Sequence, residues 1–214
     1  MMLKKEHEIL LPFIKEPWNN FTFKQIKEYS GKTSESYIYS SLKNFVKSGL
    51  LKEHKVGNVI QYSLKLSSTK TCSYCGFILE YNSFEKKHIP YRDLEELASK
   101  IPVHYYTLII TGSYSRNLQK KESDLDIVII IEDSSDVKKV YAELRFFCEM
   151  NIPQIHLYVF RKSEFLSMLL DDKHNYGKEI VKNNLIISGG QSYYKIIREA
   201  IKNGFDGKYT IRKG

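Results

Sequence analysis

The sequence predicts an α+β protein in which a helical N-terminal unit precedes a larger unit with helices packed on a mixed sheet. Two observations support this class. Helix-spaced apolar residues give way to strand-like alternation within residues 1–66, and two apolar strand-like runs, 103–111 and 125–131, flank a Gly-Ser turn. A chain of 214 residues can form two units of unequal length. We therefore predict units at 1–66 and 90–214, with a connector at 67–89.

The first unit reads as three helices followed by a hairpin. Helical spacing predicts helices near residues 4–14, 23–29 and 34–48, with Thr22 as the N-cap of the second. Two alternating runs then flank Gly57-Asn58, which is a hairpin signal. This order, together with the run KSGLLKEHKVGNVIQYSL, resembles a winged helix-turn-helix domain.

The winged-helix resemblance implies a DNA interface. It places the third helix in a major groove and the hairpin tip along the DNA backbone. The side chains expected to contact DNA are Ser36, Tyr37, Tyr39, Ser40, Lys43 and Lys55. A solvated helix face and a protein-interaction module are the alternatives.

Charge is concentrated in this first unit. Residues 1–66 hold 11 lysines and 6 acidic residues, a net +5, whereas the other residues hold 22 basic and 19 acidic side chains, a net +3. An excess of lysine suits a polyanionic partner such as double-stranded DNA, because each cation near a phosphate releases a counterion. Lysines that only keep a surface soluble are the alternative.

Composition and cysteine usage indicate a cytoplasmic protein without membrane contact. No run approaches the roughly 18 apolar residues of a membrane span, and the first residues lack the apolar core of a secretory signal.

Cys72 and Cys75 have the spacing of half a zinc site, but a second pair is missing. We therefore interpret them as buried thiols without a metal.

A carboxylate pair begins the second apolar run of the larger unit. Asp124-Leu125-Asp126 leads directly into IVIII. Because side chains alternate along a strand, Asp124 and Asp126 are expected on one face, where both can bind one divalent cation.

A Gly-Ser turn ends the first apolar run. Gly112 allows a ligand to approach the backbone closely, and Ser113 is expected to open a short helix whose amides favour a phosphate. Arg116 lies one turn further on. It either adds positive charge to the phosphate site or forms a salt bridge with Glu122.

The stretch TGSYSRNLQKKESDLDIVIII, including Ser123 before the first aspartate, resembles the signature of the polymerase-beta-like nucleotidyltransferases, especially the minimal nucleotidyltransferases of prokaryotes. The resemblance implies transfer of a nucleoside monophosphate from ATP, or another nucleoside triphosphate, to a protein or small molecule. It implies Mg²⁺ or Mn²⁺ on the two aspartates. A helical partner protein is one implied acceptor. The nucleotide is expected to contact Gly112, Ser113, Arg116 and Ser123.

One departure from that family concerns the next strand, where active members carry a third carboxylate. This chain has His156 at that position, and Glu164 is a weaker substitute. His156 is either a catalytic base or a half-buried strand residue. The alternative function is therefore a DNA-binding regulator or antitoxin-like protein whose transferase-like domain binds nucleotide or dimerises without catalysis. A smaller departure is Asn117, where the family often has glycine.

The last predicted helix, residues 191–203, carries an apolar stripe made by Tyr193-Tyr194 and Ile196-Ile197. Such a stripe either packs on its own domain or forms a dimer contact, and we favour internal packing. A homodimer is compatible with the sequence.

Overall fold

Three helices and a small sheet form the N-terminal part of the computed structural model, which describes residues 5–208. Their order along the chain is α1 (His7–Lys15), β1 (Phe21–Thr22), α2 (Phe23–Ser30), α3 (Glu35–Lys47), β2 (Leu51–Val56) and β3 (Val59–Leu64). β3 lies between β1 and β2 and is antiparallel to both. The predicted three helices and hairpin are therefore present.

Local signals in the sequence set the ends of these elements. The Thr22 hydroxyl accepts a hydrogen bond from the amide of Gln25, and the Gln25 side chain accepts one from the amide of Thr22. The predicted N-cap is thus confirmed. At the hairpin, Val56 pairs with Val59 around Gly57, whose φ of 59° lies in the left-handed region that glycine adopts readily.

The larger part is built on a four-stranded sheet. Its elements are α4 (Thr69–Phe84), α5 (Tyr91–Lys100), β4 (Tyr106–Ile110), α6 (Gly112–Ser115), β5 (Leu125–Ile131), α7 (Val137–Met150), β6 (Ile155–Arg161), α8 (Lys162–Leu170), α9 (Tyr176–Lys182), β7 (Leu185–Ser188) and α10 (Gly190–Lys202). The strand order is β6-β5-β4-β7. β5 and β6 are parallel, whereas β4 is antiparallel to β5 and β7. This mixed sheet with helices confirms the α+β class.

Strand alternation divides the apolar side chains of the sheet between its two faces. On β5, Val128 and Ile130 join a cluster that includes residues of α4, α8 and α10. Ile127 and Ile129 join a second cluster with residues of α5 and α7. Both faces are covered at β4 and β5, so these two strands have nearly continuous apolar sequences.

The segment predicted as a connector differs from expectation, because most of it is the helix α4. Gly76 of α4 packs directly on the start of α10: a Cβ at that position would lie 2.5 Å from the amide nitrogen of Gln191. The Glu80 carboxylate accepts a 2.6 Å hydrogen bond from the amide of Gly190, which anchors the same contact.

The cysteines of the CSYC run lie on the inner side of α4. Cys72 and Cys75 are 1% and 0% exposed, and the Cys72 thiol donates to the carbonyl of Leu66. Burial raises the pKa of both thiols. The prediction that these two thiols are buried is therefore confirmed.

One apolar cluster joins the N-terminal helices to the larger part. Ile9 and Phe13 of α1 belong to the same cluster as Tyr194 and Ile197 of α10. The hydroxyl of Tyr194 donates a 2.6 Å hydrogen bond to the carbonyl of Ile14. The interior is therefore continuous across the predicted boundaries at 66 and 90.

The apolar stripe of the last helix is used inside the fold. Tyr193, Tyr194, Ile196 and Ile197 are all at most 4% exposed. This confirms internal packing as the role of the stripe. Within residues 5–208, none of the helices has the length and apolar character required to span a bilayer.

Candidate active site

Asp124 and Asp126 lie at the start of β5, and the structure brings both carboxylates to one imidazole. His156 Nε2 is 3.3 Å from Asp124 Oδ2, and His156 Nδ1 is 3.6 Å from Asp126 Oδ1. The parallel register pairs Asp126 with His156 on β6. The two aspartates therefore share a face, as strand alternation predicts.

His156 occupies the register position opposite the second aspartate. Its side chain is 50% exposed, so solvent or a substrate can reach the ring. The contacts with the two carboxylates are ion pairs only when the imidazole is protonated. The geometry places His156 beside the carboxylate pair and leaves both predicted roles, catalytic and structural, open.

Gly112 closes the floor of the site. Its φ is 66°, and a Cβ there would lie 2.0 Å from Asp126 Oδ2. Only glycine combines this backbone conformation with so close a carboxylate. The amide of the preceding Thr111 donates a 3.0 Å hydrogen bond to the carbonyl of Asp126, which holds the turn against β5.

The turn continues into the four-residue helix α6, in agreement with the predicted short helix. Ser113 is partly exposed there. Arg116 is exposed, and its Nε donates a 3.2 Å hydrogen bond to the carbonyl of Gly112. Within the described chain its guanidinium forms no salt bridge with Glu122, so the alternative predicted for this arginine is wrong.

The loop between α6 and β5 explains two other sequence features. Asn117 has a φ of 57°, a left-handed conformation that asparagine tolerates better than most residues, so it can replace the usual glycine. Ser123 Oγ accepts a 2.8 Å hydrogen bond from the amide of Lys120. This bond orders the loop just before Asp124.

The electrostatics of Asp126 differ from those of a solvated carboxylate. Burial raises the pKa of the Asp126 carboxyl, His156 opposes the rise, and Asp124 adds to it. A cation at this position would favour the ionised form and offset the effect of burial.

A cavity of about 200 Å³ opens beside Asp126. Its walls come from the Gly-Ser turn, from β6, and from α9 with the residue that follows it. The lining residues are Thr111, Gly112, Arg116, Asp126, Tyr158, Tyr176, Glu179 and Asn183. Two carboxylates, Asp126 and Glu179, thus face one cavity of a size suited to part of a nucleotide.

The α9 side of this cavity was not predicted from the sequence. Tyr176, Glu179 and Asn183 lie some 50 residues beyond Asp126, and only tertiary packing brings them to it. Asn175 caps α9 by accepting a 3.1 Å hydrogen bond from the amide of Lys178, and this cap was the available sequence signal for the helix.

Glu164, the predicted substitute for the missing third carboxylate, has another role. Its Oε2 accepts a 2.7 Å hydrogen bond from the amide of Arg161, and its Oε1 lies 3.3 Å from Arg161 Nη1. These contacts cap the first turn of α8. The prediction that Glu164 replaces the third carboxylate is therefore wrong.

The donor set fits a hard divalent cation held partly by substrate. Among residues 5–208, no group of three or more His, Cys, Asp or Glu side chains is arranged to hold a metal ion. The nitrogens of His156 face carboxylate oxygens instead of converging with them on one point. Mg²⁺ commonly takes one or two carboxylates, with phosphates and waters completing its shell. Asp124 and Asp126 supply such a pair.

One segment of the larger part resembles a known family. Residues 92–187 match the family model described as nucleotidyltransferase domain. The matched segment runs from α5 to β7, and so covers the four strands of the larger sheet. Neither the curated proteins nor the solved structures include a match to the chain.

The residues predicted to contact DNA lie on α3 and at the hairpin. Ser36, Tyr39, Ser40, Lys43 and Lys55 are exposed. Lys43 Nζ lies 4.6 Å from the centroid of the Tyr39 ring, so the two side chains act as one cationic and aromatic surface.

Tyr37 differs from this exposed set. It is partly buried and packs against the apolar core, so less of its surface can reach a partner. Direct contact between Tyr37 and DNA remains an untested prediction.

Proposed function

We propose that this protein transfers a nucleoside monophosphate from a metal-bound nucleoside triphosphate, with ATP as the first candidate, to a hydroxyl group of a protein or small molecule. The observation that supports it most strongly is the juxtaposition of Asp124, Asp126 and the Gly112 turn within the segment that matches the nucleotidyltransferase domain model.

Each residue of the site has a distinct task in this reaction. Asp124 and Asp126 would hold Mg²⁺ or Mn²⁺, and the bound ion offsets charge on the phosphoryl oxygens. The missing side chain at Gly112 lets the triphosphate approach the backbone, and Arg116 places positive charge at the same cavity.

The transfer itself needs a proton acceptor. The acceptor hydroxyl attacks the α-phosphorus, its proton passes to neutral His156, and pyrophosphate leaves with the electron pair of the broken bond. His156 suits this task because half of its side chain is exposed beside Asp126. A helical partner protein is one candidate acceptor.

Substitution of Asp126 tests the function. We expect Asp126→Asn to reduce transfer of labelled AMP from ATP by about a thousandfold, because the loss of one charged metal ligand removes several kcal/mol of transition-state stabilisation. Transfer is measured with Mg²⁺ and with Mn²⁺ on the protein itself and on candidate acceptors. Asp172→Asn, at an exposed aspartate outside the cavity, serves as the matched control. Equal labelling by wild type and Asp126→Asn would refute the proposal.

The second candidate is a DNA-binding regulator whose transferase domain binds nucleotide without turnover. It is favoured by the imidazole at the third carboxylate position and by the exposed, lysine-bearing face of α3. The two functions are compatible in one chain, because the α3 face and the cavity are formed by different residues.

Charge reversal on α3 tests the DNA-binding candidate. We expect Lys43→Glu to weaken binding to duplex DNA about tenfold and to reduce the slope of affinity against salt, because a phosphate contact and its counterion release are lost. Titrations at two salt concentrations measure both effects. Lys87→Glu makes the same charge change at an exposed site on the α4–α5 loop. If both variants lose affinity equally, the α3 face is not the interface.

A further inference from the structure

The cavity beside Asp126 is lined by two chemically different sets of residues. One set is the Gly112 turn, Arg116 and Asp126, which suit a triphosphate and its cation. The other set is Tyr158, Tyr176, Glu179 and Asn183, which we call the base wall. None of these four side chains is required for the proposed transfer of the phosphoryl group.

The aromatic half of the base wall offers a flat apolar surface. The rings of Tyr158 and Tyr176 pack with centroids 4.8 Å apart, and Tyr158 also stacks at 12° on Phe160. Tyr158 nevertheless remains 39% exposed, so part of its ring is free to contact a ligand. A planar ring system is the ligand that such a surface favours.

The two polar residues of the base wall, Glu179 and Asn183, lie one helical turn apart. The amide of Asn183 donates a 2.9 Å hydrogen bond to the carbonyl of Glu179, so both side chains lie on the same side of α9. His174 Nε2 contacts Glu179 Oε1. Glu179 Oε2 and the Asn183 amide group have no hydrogen-bond partner among the described residues. The hydroxyl of Tyr176 is buried and likewise has no partner within residues 5–208.

We propose that the base wall is the subsite for the nucleobase of the triphosphate, and that Glu179 selects bases with an exocyclic amino group over uracil. This inference rests on the proposed nucleotide substrate. An ionised carboxylate only accepts hydrogen bonds, so it pairs with the amino group of adenine, cytosine or guanine. Uracil has no amino group, and its N3–H donor lies between two carbonyl oxygens that repel a carboxylate.

Binding measurements test the subsite without any acceptor. Calorimetry with Mg²⁺ compares ATP, UTP and inorganic tripolyphosphate on the full chain. We expect wild type to bind ATP about tenfold more tightly than UTP, which is the effect of one hydrogen bond to a charged group. In Glu179→Gln the difference should disappear, because an amide can also donate to a carbonyl of uracil. Binding of tripolyphosphate should not change.

Two further variants complete the test. Glu143→Gln changes an exposed glutamate of α7 in the same way and should keep the preference of wild type. Tyr158→Leu removes one ring and should weaken ATP about tenfold while leaving tripolyphosphate unaffected.

The possible failures are distinguishable. Equal binding of ATP and UTP by wild type, or a preference that persists in Glu179→Gln, would overturn the base subsite. If Asp126→Asn nevertheless abolishes triphosphate binding in that case, the proposed function is still supported. If wild type binds none of the three ligands, both proposals fail.

Discussion

Gly112→Ala is expected to abolish detectable binding of the Mg²⁺–ATP complex while the protein stays folded. The new methyl group would lie 2.0 Å from Asp126 Oδ2, so the carboxylate must rotate away from the turn. The φ of 66° adds strain of about 1 kcal/mol for a residue with a side chain. The stability effect is therefore small and the functional effect large. Calorimetric titration and urea unfolding measure the two effects separately.

The hairpin supplies a matched control for this substitution. Gly57 has a similar φ of 59°, and a Cβ there would have no atom within 4 Å. Gly57→Ala should therefore show the same backbone strain without any loss of nucleotide binding. Full binding of Mg²⁺–ATP by Gly112→Ala would contradict the assignment of Asp126 to the metal site.

Gly76→Ala is expected to destabilise the fold by about 3 kcal/mol. Replacing glycine by alanine inside a helix ordinarily stabilises it by up to about 1 kcal/mol, so the sign itself is diagnostic. Here the added Cβ would lie 2.5 Å from the backbone of Gly190 and of Gln191. Backbone atoms cannot rotate aside, so α4 and α10 must separate.

Urea denaturation followed by circular dichroism measures this effect as a lower midpoint at an unchanged slope. A midpoint equal to or above that of wild type would show that the α4–α10 contact adapts to a methyl group, contrary to the packing described.

Much of the sheet could be predicted because its signals are local. The apolar run after Asp126 predicted β5 with its observed ends, and the strand after it brought His156 to the position opposite Asp126. Helix α7 also has a local signal at its start. Asp136 caps it by accepting a hydrogen bond from the amide of Lys138, a contact between near neighbours in the chain.

Elements whose residues are specified by distant contacts could not be predicted in this way. Helix α4 is covered on several sides and includes small residues such as Cys75 and Gly76, so it lacks the apolar stripe of a surface helix. Helix α9 has seven residues, too few for a periodic pattern. Glu179 could not be linked to Asp126, because nothing in the intervening sequence shows that the chain returns to the sheet there.

The hydrogen bond from Tyr194 to Ile14 and the shared cluster around it have a consequence for how the chain can be dissected. Cleavage after residue 66 would not release an independently folded module. It would divide one hydrophobic core and expose apolar surface on both fragments.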